Sequence, residues 1–245
     1  MAHRLLHAAL QPGVPEPPPA LLAALAAAWT PLTLDKGAPV LRQGEPWQRA
    51  LLVEAGLVRM HFLRRDGKEF NKNFFAEGAL VCPITPAMWG APSLFGISCV
   101  ERTQLWQCDA TVLRHTLQAH GVWDALQREL LVRLLTGKLQ REHDLLALDG
   151  RQRYEAFCAL RPDLAERVPL LHLATYLGLT DVSLSRLRRL DKSMRNGKGK
   201  LVRKTGGTGG ASGGINRDEE NAASNQLDPE NDAPTTKVEV PLKPR

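Results

Sequence analysis

The sequence predicts an α+β protein, with a β-rich front half, a helical back half and a polar tail. Three observations predict it. Glycines at 37, 44, 56, 67 and 78 cut the stretch from about Trp29 to Asp109 into short β-rich runs at roughly even spacing. After Asp109 the apolar residues recur with the period of a helix. Beyond about Asn196 the composition collapses into glycine, polar and charged residues.

The elements follow in order. Residues 1–28 read as a leader, in which Pro12, Pro15, Pro17, Pro18 and Pro19 make the middle extended and Leu21 to Trp29 forms one short helix. Residues 29–121 read as a β domain closed by a helix. Leu51 to Val53 and Leu57 to Leu63 are β-rich runs, Asp66-Gly67 makes a turn, and Lys68 to Phe75 returns as the second arm of a hairpin. Many short strands with regular turns point to a sandwich or barrel. Ala110 to Ala119 is a first helix, ended near Gly121.

Residues 122–148 read as one long helix of about 40 Å at 1.5 Å per residue. Leu131, Leu135 and Leu139 lie on one stripe of it, beside Arg133, Lys138, Arg141 and Glu142. Periodicity leaves two readings open, an ordinary core helix and a dimer seam. Asp149-Gly150 is a hinge candidate, and residues 149–204 follow as a compact helical segment with a basic extension. Residues 205–245 open with the flexible run Thr205 to Gly214 and continue polar and nearly free of aromatics, so disorder is expected there.

Composition narrows the classes. Of the 245 residues 43% are apolar and 24% charged, as in soluble globular proteins. A chain this long buries a core without disulfides or metal. The longest apolar stretch, Ala20 to Trp29, is about half a membrane span. Met1 to Leu10 is broken by His3, Arg4 and His7, unlike a secretory signal, so the expectation is a cytoplasmic protein without a membrane partner. The net charge of +6 permits an acidic partner. Cysteines at 82, 99, 108 and 158 lack Cys-x-x-Cys spacing and read as buried free thiols.

The most informative stretch runs from Val168 to Arg189. Leu170, Leu173 and Leu177 make one apolar face, and Ala174 is small where a second helix must pack closely. Gly178 sits where a sharp turn needs positive φ, Leu179 plugs the corner, and Thr180 is an N-cap. This is the spacing of a helix-turn-helix. On the second helix Asp181, Val182, Ser185 and Arg186 fall on one side, opposite the inward Leu184 and Leu187. That side is expected to face base edges, with Arg186 the partner of a guanine. Thr180, Ser183, Arg188 and Arg189 are expected to hold phosphates. Basic residues continue at Lys192, Arg195, Lys198, Lys200, Arg203 and Lys204.

This segment resembles the helix-turn-helix of the Crp/Fnr bacterial transcription regulators, especially members whose recognition helix ends in Ser-Leu-Ser-Arg, here Ser183 to Arg186. Leu34 to Glu45 and Leu51 to Arg59, with Gly37, Gly44 and Gly56 on the turns, resemble the opening of that family's cyclic-nucleotide-binding jelly-roll. The resemblance covers about residues 20 to 195. It implies a jelly-roll sensor at 29–121, a dimerisation helix at 122–148 with its seam at Leu131, Leu135 and Leu139, and a winged helix-turn-helix at 149–204. It also implies a homodimer on an inverted repeat of double-stranded DNA, with RNA polymerase as a further contact.

The departures bear on the effector. In nucleotide-binding members a Gly-Glu and an Arg-Ser/Thr-Ala form the phosphate cassette. Here the Gly-Glu positions fall on Cys82 and Pro83, and the arginine and hydroxyl positions on Ser93 and Leu94. A buried phosphate without its cation loses several kcal/mol, so cAMP is not expected to bind in the usual way and the effector stays unassigned. Iron–sulfur members group cysteines before the jelly-roll, and no cysteine precedes Cys82. No cofactor is predicted. Haem through His61 or His115 is the remaining cofactor reading, against the ordinary structural role of a lone histidine. A cupin-like metal enzyme would need His-x-His on a strand, and the strands hold only His61. No nucleophile–base–orienter set is identifiable, so the chain does not read as an enzyme. An interaction module that does not bind DNA would leave the register of Gly178, Thr180 and Arg186 unexplained.

Overall fold

The computed structural model describes residues 2–202, with side chains over 3–191. The chain opens with α1 (Ala2–Leu10) and α2 (Pro19–Ala28). Strands β1 (Thr30–Leu34), β2 (Pro39–Leu41), β3 (Arg49–Ala55), β4 (Val58–Leu63), β5 (Glu69–Phe75), β6 (Leu80–Val81), β7 (Gly96–Cys99) and β8 (Thr103–Asp109) follow. The remaining helices are α3 (Ala110–Ala119), α4 (Trp123–Ala147), α5 (Gly150–Leu160), α6 (Pro162–Arg167), α7 (Leu170–Leu177) and α8 (Asp181–Val202).

The strands make two four-stranded antiparallel sheets, β1-β8-β3-β6 and β2-β7-β4-β5, which is the expected jelly-roll. Leu51, Val53, Val58, Met60, Ile97 and Leu105 fill the space between them. Both outer faces are also covered. Ala50 and Leu52 of β3 face α1–α4, while Leu51 and Val53 face the other sheet. The run Leu51-Leu52-Val53 therefore shows no alternation, as a strand buried on both faces requires.

The leader differs from its sequence reading. Residues 2–10 are helical, and Leu6 (1% exposed) and Leu10 are buried in the core that α2, α3 and the start of α4 share with the first sheet. Pairing at i and i+4 puts both leucines on one side of α1. The proline loop after α1 passes so close to α4 that a Cβ on Gly13 would stand 2.7 Å from Leu126 Cα. The first third of α4 is thus covered within its own chain. Leu131, expected in the seam, is half-buried against this core.

The expected wing does not form among the described residues, because the backbone stays helical from Asp181 to Val202. Between 190 and 202 only Val202 is β-branched, which leaves little for a β-hairpin to pack. The tail expected at 205–245 lies outside the described residues, as do the side chains of Lys192, Arg195, Lys198, Lys200, Arg203 and Lys204. No described helix is long and apolar enough to cross a membrane.

Leu6→Ala tests whether α1 belongs to the core. A fully buried leucine truncated to alanine costs about 2–5 kcal/mol, so the urea midpoint should fall with the slope unchanged. An unchanged midpoint would mean that α1 does not belong to the folded unit.

Candidate nucleic-acid interface

The helix-turn-helix is built by α7, Gly178 to Thr180, and α8. Leu173, Ala174 and Leu177 of α7 are buried in the same core as Leu184 of α8. Gly178 is left-handed (φ 67°, ψ 36°) and ends α7, its N–H and that of Leu179 both reaching the carbonyl of Ala174. A side chain at this φ would be strained. Leu179 seats on α5, where a Cβ on Gly150 would meet it at 2.7 Å. Asp149 and Gln152 form a reciprocal capping box at the start of α5, so the hinge candidate is a capped helix start.

Thr180 caps α8 as expected. Its Oγ1 accepts from the Ser183 N–H at 3.1 Å and donates to Ser183 Oγ at 2.8 Å. Asp181 Oδ1 accepts from the Val182 N–H at 2.9 Å. Leu184 is buried and Leu187 half-buried, and both pack into the core under α8. Asp181, Val182, Ser183, Arg186 and Arg189 are exposed and Ser185 is half-buried. Val182, Arg186 and Arg189, at i, i+4 and i+7, share one open face of the helix.

Arg188 departs from its expected role. Its Nη2 donates to the carbonyls of Ala165 (3.0 Å) and Val168 (3.3 Å) at the end of α6. Those carbonyls have no intrahelical donor, and the guanidinium supplies one. Arg188 therefore ties α8 to α6 and is not placed to hold a phosphate.

How this unit is anchored is not legible in the sequence. The outer face of the β2-β7-β4-β5 sheet carries Arg59, His61, Asn71 and Ser98, and α7 lies across part of it. Arg59 Nε donates to Ser98 Oγ at 3.0 Å, and its Nη1 reaches Asn71 Oδ1 at 3.2 Å and His172 Nδ1 at 3.4 Å. Its Nη2 pairs with Glu69. Burial holds the His172 pKa down to about 4, with the Arg59 charge adding to the effect. At the other end Arg167 makes a fork on Glu77, both arms 2.9 Å, and also binds Glu101. The Arg167 hydrogen bonds hold Glu77 down to about 2. The pairs that reach from the jelly-roll to the helices, Arg59–His172, Glu77–Arg167 and Glu101–Arg167, lie 113, 90 and 66 residues apart, so local spacing carries no trace of them.

The cassette positions hold no cation. Cys82 is buried, and desolvation raises its thiol to about 12. Ser93 Oγ donates to the Phe95 carbonyl at 2.8 Å in a local turn, and Leu94 is 78% exposed. Phe95 instead turns inward, with Trp47 edge-on at 5.4 Å. A cavity of about 160 Å³ beside it, lined by Glu45, Pro46, Trp47 and Arg49, is smaller than the ~300–1,000 Å³ of ordinary small-molecule sites. His61 sits between Glu69 and the backbone of Gly96, and His115 is exposed on α3. Among the described residues no group of three or more His, Cys, Asp or Glu could hold a metal ion.

On α4 the exposed apolar residues are Val132, Leu135 and Leu139 (58% each for the leucines), Leu145 and Leu146. Val132, Leu135, Leu139 and Leu146 are spaced by three, four and seven residues, so they form one stripe.

No family model matches the sequence, and no curated protein matches it significantly. Solved structures of the same fold do. The c-di-GMP-responsive global regulator CLP of Xanthomonas campestris is 18% identical over 73% of this chain and 92% of its own, with TM-score 0.58. FixK2 of Bradyrhizobium japonicum is 19% identical over 69% and 86%, with TM-score 0.56. A CooA variant from Carboxydothermus hydrogenoformans is 19% identical over 69% and 79%, with TM-score 0.56. The chain therefore has the fold of the Crp/Fnr regulators.

The anchor gives a pH prediction. With His172 near 4 when folded and near 6.5 when unfolded, the unfolded chain takes the proton first as pH falls. Stability from this group should drop between about pH 6.5 and 4, and that from Glu77 between about pH 4.5 and 2. Urea midpoints measured across pH should therefore fall less steeply from 6.5 to 4 in His172→Gln than in the wild type.

Proposed function

We propose that this chain is a cytoplasmic, sequence-specific DNA-binding transcription regulator. It acts as a two-fold dimer on an inverted repeat, and its jelly-roll does not take cAMP by the usual phosphate cassette. The observation that carries this reading is α8, held below by Leu184 and Leu187 and offering Val182, Arg186 and Arg189 on one open face. Arginine in the major groove bonds a guanine bidentately or holds phosphate. Support comes from chains of the same fold, among them the global regulator CLP, whose described role is to link cell–cell signalling to gene expression.

The stripe Val132, Leu135, Leu139 and Leu146 is the proposed dimer seam, which gives the two recognition helices their two-fold relation. RNA polymerase is a further partner in such a role. Thr180 serves as the cap, Ser183 and Arg189 as phosphate contacts, and Asp181, Val182, Ser185 and Arg186 as the reading face. Asp181 accepts from cytosine or excludes a wrong base.

Four measurements test this. Arg186→Ala should cost about 1–3 kcal/mol on the selected site and little on random DNA. Arg189→Ala should weaken both alike and make the salt slope shallower by about one unit. If Arg186→Ala leaves the preference among site variants unchanged, the reading face is wrong. Substituting Leu135 and Leu139 with glutamate should give monomers in sedimentation that bind DNA poorly; persistent dimers would place the seam elsewhere. Calorimetry with cAMP should show no micromolar binding, and tight binding would overturn the cassette assignment.

A further inference from the structure

The recognition helix takes its direction from α7, and α7 is held on the jelly-roll by one side chain above all. Asn71 in β5 is 3% exposed. Its Nδ2 donates to the His172 carbonyl at 3.1 Å and to Thr175 Oγ1 at 2.8 Å. Its Oδ1 accepts from Arg59 of β4 at 3.2 Å. Its backbone N–H points to Thr175 Oγ1 at 3.4 Å, and its carbonyl accepts from Arg141 of α4 at 3.5 Å. Arg141 also stacks over the Tyr176 ring, 4.2 Å from its centroid. One residue therefore joins a sheet strand, the long helix and the first helix of the helix-turn-helix. Thr175 is three residues, less than one helical turn, before Gly178.

The chemistry of this junction differs from what surrounds it. Leu57, Phe74, Val100, Phe157 and Leu173 already bury apolar area between sheet and helices. Apolar contacts are non-directional and tolerate sliding. Hydrogen bonds from a buried amide have fixed lengths and angles, and a buried donor left unmade is costly. Asn71 thus adds direction where the apolar contacts supply adhesion. Direction is what a dimer on an inverted repeat needs, because a change of one base pair in spacing turns one half-site by about 34° relative to the other.

We infer that Asn71 is a positioning residue for DNA recognition, which sets the half-site spacing the dimer accepts by fixing α7, and through Gly178 α8, against the jelly-roll and α4. This rests on the dimeric DNA-binding reading above.

The test uses the full chain. A randomised duplex library first selects the preferred inverted repeat for the wild type. Duplexes with its spacer lengthened or shortened by one or two base pairs, and one with a single half-site, are then titrated. The wild type should discriminate among spacers by about tenfold or more, the scale of a lost base contact. Asn71→Ala should bind the preferred spacing several-fold more weakly yet discriminate several-fold less among spacers, with single-half-site affinity and dimerisation unchanged. Thr175→Val, nearly isosteric, should do the same if Asn71→Ala does not fold. Thr175→Ser, which keeps the hydroxyl, should restore the wild-type pattern. A uniform loss across all spacers, or none, with either Asn71→Ala or Thr175→Val would overturn the positioning role while leaving the DNA-binding reading intact. A wild-type chain that selects no duplex would overturn both.

Discussion

The arrangement depends on the burial of both faces of the β2-β7-β4-β5 sheet. Its inner face packs against the other sheet. Its outer edge and face are covered by α5–α8, with Phe74 of β5 set against Tyr176 of α7 at 5.3 Å and Leu57 and Val100 beneath the same helices. Without that cover, α7 would be an amphipathic helix of eight residues with little to hold it, since helices so short are marginal on their own. The turn at Gly178 and the start of α8 inherit their place from this one contact surface.

Inside that surface lies a polar network that apolar packing alone would not require. Arg59 is almost wholly buried, which is costly for a guanidinium unless every donor finds a partner. Here Ser98, Asn71, His172 and Glu69 accept from four of its five N–H groups. Burial, and after it this same charge, disfavours protonation of His172, so the imidazole stays neutral and accepts at Nδ1. Arg167, with Glu77 and Glu101, holds the far end of the helical unit by a fork of charge-assisted hydrogen bonds. The helical unit and the jelly-roll are therefore joined by directional contacts at two places.

The long helix α4 divides along its length for a similar reason. α1–α3 and the proline loop cover its beginning, so Trp123 and Leu126 are core residues. Leu130, Leu131 and Leu134 still pack against that core, while Val132, Leu135 and Leu139 on the other side of the helix stand open. A single leucine repeat thus serves two purposes, and only the neighbours of each turn decide which.

The sequence by itself determined the local features. Glycine-punctuated strands, the Asp66-Gly67 hairpin, the long helix to within about a residue at each end, and the Gly178–Thr180 corner were all legible, because each is set by dihedral preference or by periodicity over a few residues. What the tertiary structure decided is which like residues do unlike work. Arg188 caps the end of α6 while Arg186 stays open. Leu131 joins the core while Leu135 does not. The first ten residues supply core leucines although their pattern is broken by histidine and arginine. Asn71, an unremarked strand residue, meets Thr175 across 104 positions. Burial and hydrogen-bond partnership are properties of neighbours in space, and a pattern along the chain carries no record of contacts between segments that far apart.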